Sequence, residues 1–550
     1  MRFSPLSGWV KSRAEAVSLC AHSPVERTAS AGRIKATLII TNQPYSMTSL
    51  PTLLISFAVI GALLTVWTVR VKQTKSVLWT FMQHFCGVWF IFSGLVKADD
   101  PIGTAYKMED YFAAFEPTFS GLNNVFAGIA PLFPWLAGYA EGFSIFMIVL
   151  EIVLGAMLML GYSRKWTAWL FFLIVVFFTA LTGFTFLTGF VPTEANFFDF
   201  AQWGPYVKTQ MRVTDCGCFG DFIKLDPKIS FFKDLGLMIP AFMFLLRSRN
   251  MHQLWTAKVR NITAGATTVA SLLFCFQNTY WDLPMVDFRP FKIGSNVRER
   301  KELESNAKVD ILGWVLRNDS LDQTVTYMEP EPNKYTYVKQ YPKNLGWKVK
   351  DQIQTDMYVE QNGQKVSITK TKVSDFAIES SDGEVTEDIL SEPGYSLMII
   401  AYKLKGQKQI ETVAVPDTTW ASDTVRVSKD SFFLQPRIGT VGQKTYEKEV
   451  FIPAPDYAER FQNEVNPLAE AAAKAGWKVY AITTYGDAES ASDFARRVKA
   501  KYPFYKADDK LLKTIIRANP GVVVWKDGVV LDMYQHRHLP TFEALGGKWK

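Results

Sequence analysis

Six long apolar stretches alternate with polar segments in the first half of this 550-residue chain. They cover residues 50–69, 77–96, 139–161, 166–190, 230–246 and 262–280. Helices of about 17–25 apolar residues are long enough to cross a hydrocarbon core of about 30 Å. From residue 281 onward, charged side chains are frequent and no such stretch occurs. The pattern therefore predicts an α-helical membrane bundle of about six spans, followed by a large water-soluble domain.

The loops between these stretches differ in charge, and the difference predicts on which side of the membrane each loop lies. Loops 70–76, 161–166 and 247–261 contain Lys and Arg but no Asp or Glu, whereas loop 97–138 carries several acidic side chains. Basic loops remain cytoplasmic. The sequence therefore predicts a multi-pass protein of the cell inner membrane with its C-terminal domain in the periplasm. The alternative is that one weak stretch is re-entrant.

The first 46 residues do not fit this topology. They contain six Lys and Arg against two Glu, and no apolar run of the signal-peptide kind precedes Met47. A first helix that enters from the periplasmic side is not expected to carry a basic tail across the membrane. We therefore expect translation to start at Met47, and the alternative is that residues 1–46 form a disordered extension.

The second half of the chain alternates predicted strands and helices. Residues 281–370 predict a linker and a small β-rich module, and residues 371–550 a separate domain. Within that domain the pattern predicts strands at 395–402 and 477–483, helices at 467–476, 488–501 and 510–518, and a hairpin at 522–531 around Asp527-Gly528. Strands that alternate with helices indicate an α/β domain.

The order of these elements, with Pro520 just before the hairpin, resembles the thioredoxin-like fold of the peroxiredoxin and TlpA kind. The resemblance implies that Pro520 occupies the cis-proline position. A long insertion, at about 403–462, interrupts the domain where the redox Cys-x-x-Cys of that family would follow the first core strand. Residues 276–550 contain no cysteine. The dithiol activity of the family therefore cannot be carried over to this domain.

Two of the five cysteines, Cys216 and Cys218, form a Cys-Gly-Cys motif between the fourth and fifth apolar stretches. Three interpretations are open: a redox-active pair, a structural disulfide, or a metal site. The third would require further soft ligands, which the sequence does not place nearby. Asp215 and Asp221 are expected to raise the pKa of these thiols and to slow their attack.

The second stretch and the loop after it read Phe90-Ile-Phe-Ser-Gly-Leu-Val-Lys97-Ala-Asp-Asp-Pro. Together with Cys216-Gly-Cys-Phe-Gly-Asp221, this segment resembles the DoxX family, especially the branch of the methylamine-utilisation protein MauE. The resemblance covers about residues 75–250 and implies a four-helix membrane unit, to which the first and sixth spans are additions. Members are associated with quinone-linked sulfur oxidation, oxidant resistance and the maturation of disulfide-containing partners.

Ionisable side chains inside the apolar stretches are further candidates. At 1.5 Å per residue, Glu151 lies about 18 Å from the outer end of its helix, and His84 about 10 Å from the cytoplasmic end of another. A carboxylate at this depth suggests function. Glu151 and His84 are therefore candidates for a proton relay, and the alternative is a neutral glutamic acid that bonds neighbouring helices. Lys97, Asp100, Glu141 and Asp234 lie near the outer ends, where they either line a pocket or are solvated at the interface.

These observations lead to one functional hypothesis and one rival. The first is an accessory protein of extracytoplasmic thiol or respiratory redox chemistry, in which Cys216 and Cys218 exchange electrons with a periplasmic protein partner. A quinone is a candidate electron acceptor. The rival is a non-enzymatic scaffold whose cysteine-free domain binds a partner. The lipid bilayer is an expected partner, whereas nucleic acid is not, because much of the net charge of +7 lies in short loops. His536 and His538 are interpreted as surface residues, and no metal is expected.

Overall fold

A computed structural model describes residues 49–548 except 123, 205, 214, 215, 322, 362 and 427–431. The predictions about residues 1–46 and a start at Met47 lie outside this part of the chain.

The first half of the described chain is helical. Its helices are α1 (Leu50–Arg70), α2 (Val77–Asp99), α3 (Pro101–Ser120), α4 (Leu132–Ala137), α5 (Ala140–Leu160), α6 (Arg164–Leu187), α7 (Pro227–Leu246) and α8 (Ala257–Phe276). Among the described residues, five helices are long and apolar enough to cross a membrane: α1, α5, α6, α7 and α8. They coincide with five of the six predicted stretches, so the chain is a multi-pass membrane protein.

Helix α2 matches the remaining predicted stretch, but it is not among these five helices. It contains the polar residues Gln83 and His84, and both are buried. The Gln83 side chain donates to the Leu158 carbonyl of α5 and accepts from the backbone N–H of His252. The Gln83 side chain is thus hydrogen-bonded to protein through both its donor and its acceptor.

Helix α3 lies in the segment that the sequence analysis treated as loop 97–138. It begins at a strong local signal, since Asp100 accepts a hydrogen bond from the Gly103 N–H at 2.8 Å and Pro101 occupies the first turn. Its composition is mixed, and Pro117 lies inside it. No apolar period of membrane length marks this helix, which is why the hydropathy pattern did not predict it.

The three basic loops meet at one end of the bundle. Lys75 Nζ and Arg164 Nη1 each donate to the backbone carbonyl of Arg249 at 3.0 Å. The Leu254 N–H donates to the Leu160 carbonyl at 2.9 Å. The polypeptide after α8 packs at the opposite end, where the Asn278 side chain donates to the Ala98 carbonyl. This arrangement is the one that the alternating charge of the loops predicts.

The C-terminal region, residues 281–548, begins with helix α9 (Val297–Ser305) and small β structures. Strands β1 (Ile311–Asn318), β2 (Gln323–Met328) and β3 (Trp347–Gln354) form an antiparallel sheet in the order β2-β1-β3, next to the short helix α10 (Tyr337–Gln340). Strands β4 (Tyr358–Gln361) and β5 (Gln364–Ser367) form a hairpin. These strands lie within residues 281–370, for which the sequence predicts a linker and a small β-rich module.

A seven-stranded mixed sheet follows. Its strands are β6 (Ile378–Ser380), β7 (Gly383–Glu384), β8 (Tyr395–Ala401), β11 (Lys478–Thr484), β12 (Phe504–Ala507), β13 (Gly521–Lys526) and β14 (Val529–Gln535), in the order β14-β13-β8-β11-β12-β6-β7. The neighbouring helices are α11 (Thr386–Leu390), α12 (Pro455–Glu459), α13 (Asn466–Lys474), α14 (Ala488–Val498), α15 (Asp509–Ile515) and α16 (Phe542–Lys548). Separate apolar cores, one around Trp525 and one around Phe494, accompany the sheet. The Asn519–Pro520 peptide is cis, which confirms that prediction.

The insertion expected at about 403–462 contains a long two-stranded ribbon. Strands β9 (Gly406–Arg426) and β10 (Phe432–Pro453) pair antiparallel and form a sheet of their own. The base of the ribbon belongs to the domain core through Phe451, which packs in the cluster around Phe494. Farther out, Trp420 and its cross-strand partner Ile438 are exposed.

Candidate functional site

The Cys-Gly-Cys segment forms a turn that glycine makes possible. Gly217 and Gly220 have φ angles of +60° and +52°, which side-chain-bearing residues rarely adopt. The Gly220 N–H donates to the Gly217 carbonyl at 3.2 Å. Ser93 on α2 donates to the Cys218 carbonyl at 2.9 Å and thereby fixes the turn to the helix bundle. Cys218 is a free thiol in this turn.

Beneath the turn lies a cavity of about 70 Å³. Its walls come from α2, α3, α5, α6 and α7, and both Cys216 and Cys218 line it. Aromatic side chains, including Trp89 and Phe178, provide part of the wall. The remainder includes charged side chains, which is unusual for a cavity between membrane helices.

The first charged pair of the cavity joins α2 to α5. Lys97 Nζ lies 2.6 Å from Glu151 Oε2, and the two side chains are 9% and 3% exposed. Lys97 also donates to Ser93 Oγ at 3.2 Å, and its ammonium lies 5.0 Å from the centre of the Phe178 ring. The sequence left open whether Lys97 lines a pocket or is solvated at the interface. In the structure, Lys97 lines the pocket. Ser93 links this ion pair to the backbone of Cys218.

The second charged pair consists of the adjacent residues Lys233 and Asp234 on α7, which form a buried ion pair. Thr182 on α6 donates to Asp234 Oδ2 at 3.0 Å. The Lys233 ammonium lies 5.7 Å from the centre of the Trp89 ring. The sequence analysis included Asp234 but missed Lys233. Opposite charges at successive positions in an apolar stretch were the available signal.

The thiol of Cys218 is influenced by both pairs. Burial raises its pKa above the ordinary value for cysteine, and the carboxylates of Asp234 and Glu151 act in the same direction. The ammonium groups of Lys233 and Lys97 oppose this shift, because they stabilise the thiolate. Asp221, which was expected to raise the pKa of the thiols, forms ion pairs with cationic side chains. Asp215, for which the same effect was expected, lies outside the described residues. The site thus holds a half-buried thiol near two amines that favour its ionised form.

The structure does not bring His84 and Glu151 together. His84 Nε2 lies 2.9 Å from Thr68 Oγ1, and its ring centre is 4.7 Å from that of His252. His252 Nε2 donates to the Met159 carbonyl at 2.8 Å. His84 and Lys97 are separated by 13 positions on α2, or about 20 Å at 1.5 Å per residue. The relay predicted for Glu151 and His84 thus divides into two networks. His252 lies in a loop, and no pattern in the sequence marked it as a partner of His84.

The remaining candidates have other surroundings. Asp100 binds Arg517 of the C-terminal region, and Glu141 is exposed at the start of α5. His536 is buried and its Nδ1 lies 2.6 Å from Glu464 Oε2. Within the residues that the structure describes, no group of three or more His, Cys, Asp or Glu is arranged to hold a metal ion.

Comparison with known proteins gives one match. Residues 74–192 match the family model of methylamine utilisation protein MauE. This segment extends from the start of α2 to just beyond α6 and so contains Lys97, Glu151 and Thr182. It covers less than half of the chain, and the Cys-Gly-Cys turn follows it. No curated protein and no solved structure matches the chain.

Proposed function

We propose that this protein is an inner-membrane component of extracytoplasmic thiol chemistry that exchanges electrons with a periplasmic protein through Cys216 and Cys218. The observation that carries the proposal is the position of the Cys-Gly-Cys turn, directly over a cavity lined by three lysines and two carboxylates. Two cysteines that needed only to clamp a loop would not require ammonium groups that act on the Cys218 thiol. Residues 74–192 are similar to the MauE family, which agrees with this role. We also propose a relationship to the DoxX family.

Electron exchange with the partner proceeds in two thiol–disulfide steps. In the oxidised form, a Cys216–Cys218 disulfide is attacked by a thiolate of the partner, and one of the two sulfurs leaves as a thiolate. Lys233 and Lys97 stabilise the negative charge when that sulfur is Cys218. A second partner thiol resolves the mixed disulfide, so the partner is oxidised and Cys216 and Cys218 are reduced. Two electrons and two protons must then leave the reduced pair, and a quinone is the proposed acceptor because its reduction to a quinol takes up both.

In the proposed topology, α2 also crosses the membrane, which brings the number of spans to six. The basic loops lie in the cytoplasm and the C-terminal region lies in the periplasm. The meeting of the three basic loops at one end of the bundle supports it. Residues 371–550 are proposed to be a thioredoxin-like domain without redox cysteines. The central parallel strands β8 and β11 and the antiparallel hairpin β13–β14 support that proposal.

Single replacements of the two cysteines test the function. In Cys216→Ser and Cys218→Ser, the remaining thiolate can attack the disulfide of an oxidised partner, which forms a mixed disulfide and releases one partner thiolate. Because the turn has no second cysteine to resolve it, this mixed disulfide is expected to accumulate and to be visible on non-reducing gels. The double replacement Cys216→Ser with Cys218→Ser is the control and is expected to form no adduct. Absence of any adduct in both single variants, with normal folding, would contradict the proposal.

The alternative function is a non-enzymatic scaffold, and the β9–β10 ribbon is the observation that favours it. Two-stranded ribbons are marginally stable in water and have two unpaired edges that can accept a further strand. Here Trp420 is 70% exposed and Ile438 56% exposed on the same face. A protein that adds a strand to this ribbon would explain both features. The scaffold hypothesis predicts that the double cysteine variant still co-purifies with its partner, whereas shortening of the ribbon abolishes co-purification.

A further inference from the structure

Arg517 is an arginine of the C-terminal region that contacts the membrane helices. It follows α15 and is only 5% exposed. Its Nε lies 2.9 Å from Asp100 Oδ2, and its Nη2 lies 3.4 Å from Asp221 Oδ2. The same guanidinium also donates to the Lys513 carbonyl of α15. A planar fork with several donors suits this simultaneous contact, which a lysine could not reproduce.

The two carboxylates that Arg517 binds belong to the two elements that form the outer wall of the cavity. Asp221 lies three residues after Cys218 in the same turn, and burial would raise its pKa, but Lys224, Arg517 and Arg289 outweigh burial and hold the pKa below its ordinary value. Asp100 caps the start of α3 through the Gly103 N–H. Lys107 lies about one turn after Gly103 on α3. Its side chain lies against Gly217, since a Cβ added at Gly217 would be 3.3 Å from Lys107 Cγ.

Two other ion pairs between the same two parts of the protein are more exposed. Lys510 binds Asp110 at 2.6 Å and is 63% exposed, and Lys513 binds Glu109 at 3.2 Å with the two side chains 18% and 36% exposed. Exposed ion pairs contribute little to stability. Arg517, in contrast, is enclosed, and the Tyr106 ring lies beside it at 5.3 Å. The specific part of this interface therefore lies at Arg517, next to the cysteine turn.

We infer that Arg517 is a positioning residue of the Cys-Gly-Cys site, so that the cysteine-free C-terminal region holds the turn over the cavity and keeps Cys218 shielded. This inference rests on the proposed function for its biological meaning, but its geometry does not depend on electron exchange. The C-terminal region then contributes directly to the geometry of the membrane site. Loss of the guanidinium is expected to release the turn from α3 and to expose Cys218.

The test is the rate at which N-ethylmaleimide alkylates Cys218 in the full-length protein in membranes. A Cys216→Ser background prevents a disulfide within the turn. In Arg517→Gln and Arg517→Lys, alkylation of Cys218 is expected to accelerate by about tenfold or more, because loss of one partner of a buried charge pair strongly weakens the contact that holds the turn. Its pH profile is expected to move toward that of an ordinary thiol, with a pKa of about 8.5. Lys510→Gln, at the exposed part of the interface, is the matched control and is expected to leave rate and profile unchanged.

Cys86 and Cys275 are buried in the helices and report on unfolding in the same sample. Faster alkylation of Cys218 alone supports the inference. An unchanged rate in both Arg517 variants overturns it, and so does equal acceleration at Cys86 and Cys275, because Arg517 would then only stabilise the fold. Alkylation needs neither a partner nor an electron acceptor. A failure of this inference is therefore distinguishable from a failure of the mixed-disulfide experiment.

Discussion

Lys97 and Glu151 illustrate how single residues determine what a membrane cavity can do. A lone carboxylate or ammonium between membrane helices is expensive, since the surroundings cannot solvate it. Paired at 2.6 Å, and with Ser93 as a further partner of Lys97, the two charges neutralise each other. The pair can thus remain beside Cys218 and act on the charge of its sulfur.

Removal of one member of this pair should therefore be worse than removal of both. Lys97→Met leaves Glu151 buried without its hydrogen-bonded counter-charge and is expected to lower the free energy of unfolding by about 3–5 kcal/mol. Adding Glu151→Gln removes the unpaired charge and is expected to restore most of that loss. Thermal unfolding of the detergent-purified protein measures both.

The control for this comparison is Lys408→Met, because Lys408 and Glu449 form an exposed pair on the ribbon. A surface change of this kind is expected to stay within about 0.5 kcal/mol of the wild-type value. If Lys97→Met alone and the double variant were equally unstable, the pair would not be energetically coupled.

At the level of the element, the end of α5 is fixed by one glycine. Gly161 ends the helix with a φ of +65°, and its N–H donates to the Leu158 carbonyl. A Cβ at this position would lie 1.9 Å from the His252 carbonyl oxygen. The close approach permits the loop that carries His252 to pack against the bundle, where its side chain reaches Met159. The helix end and the loop are thus built together.

Gly161→Ala is accordingly expected to be destabilising by more than about 1 kcal/mol, because it adds a backbone clash to the strain of the left-handed conformation. Gly142→Ala is the matched control in the same helix. Nothing lies within 4 Å of a Cβ at Gly142, so alanine there is expected to be neutral or slightly stabilising. Equal midpoints of thermal unfolding for the two variants would contradict the assigned packing.

At the level of the whole molecule, the proposed topology can be tested by labelling. Cysteines introduced one at a time at Lys165 and Glu331, in a background with Cys216 and Cys218 replaced by Ser, are compared in intact cells. A membrane-impermeant maleimide is expected to label Glu331→Cys but not Lys165→Cys. Both native side chains lie at exposed positions, so accessibility within the protein is not limiting. Labelling of Lys165→Cys alone would reverse the topology and remove the proposed periplasmic setting.

Local patterns predicted most of the fold, whereas contacts between distant residues formed most of the site. Apolar runs of membrane length predicted five helices, and the Asp527-Gly528 turn predicted the β13–β14 hairpin, because each signal lies within one element. Helix α3 was missed because its composition is mixed. The pairing of Lys97 with Glu151, and the approach of Arg517 to the cysteine turn, depend on which helices become neighbours. Spacing along a single sequence does not contain that information.

The polarity of α2 has a consequence for how the protein is made. Gln83 and Lys97 find partners on α5, at the Leu158 carbonyl and at Glu151, but α5 is synthesised later than α2. A segment with unpartnered polar groups partitions poorly from the translocon into lipid. Under the proposed topology, α2 is therefore expected to remain beside the translocon during synthesis until α5 emerges, so that these two helices enter the bilayer as a pair rather than in the order of the chain.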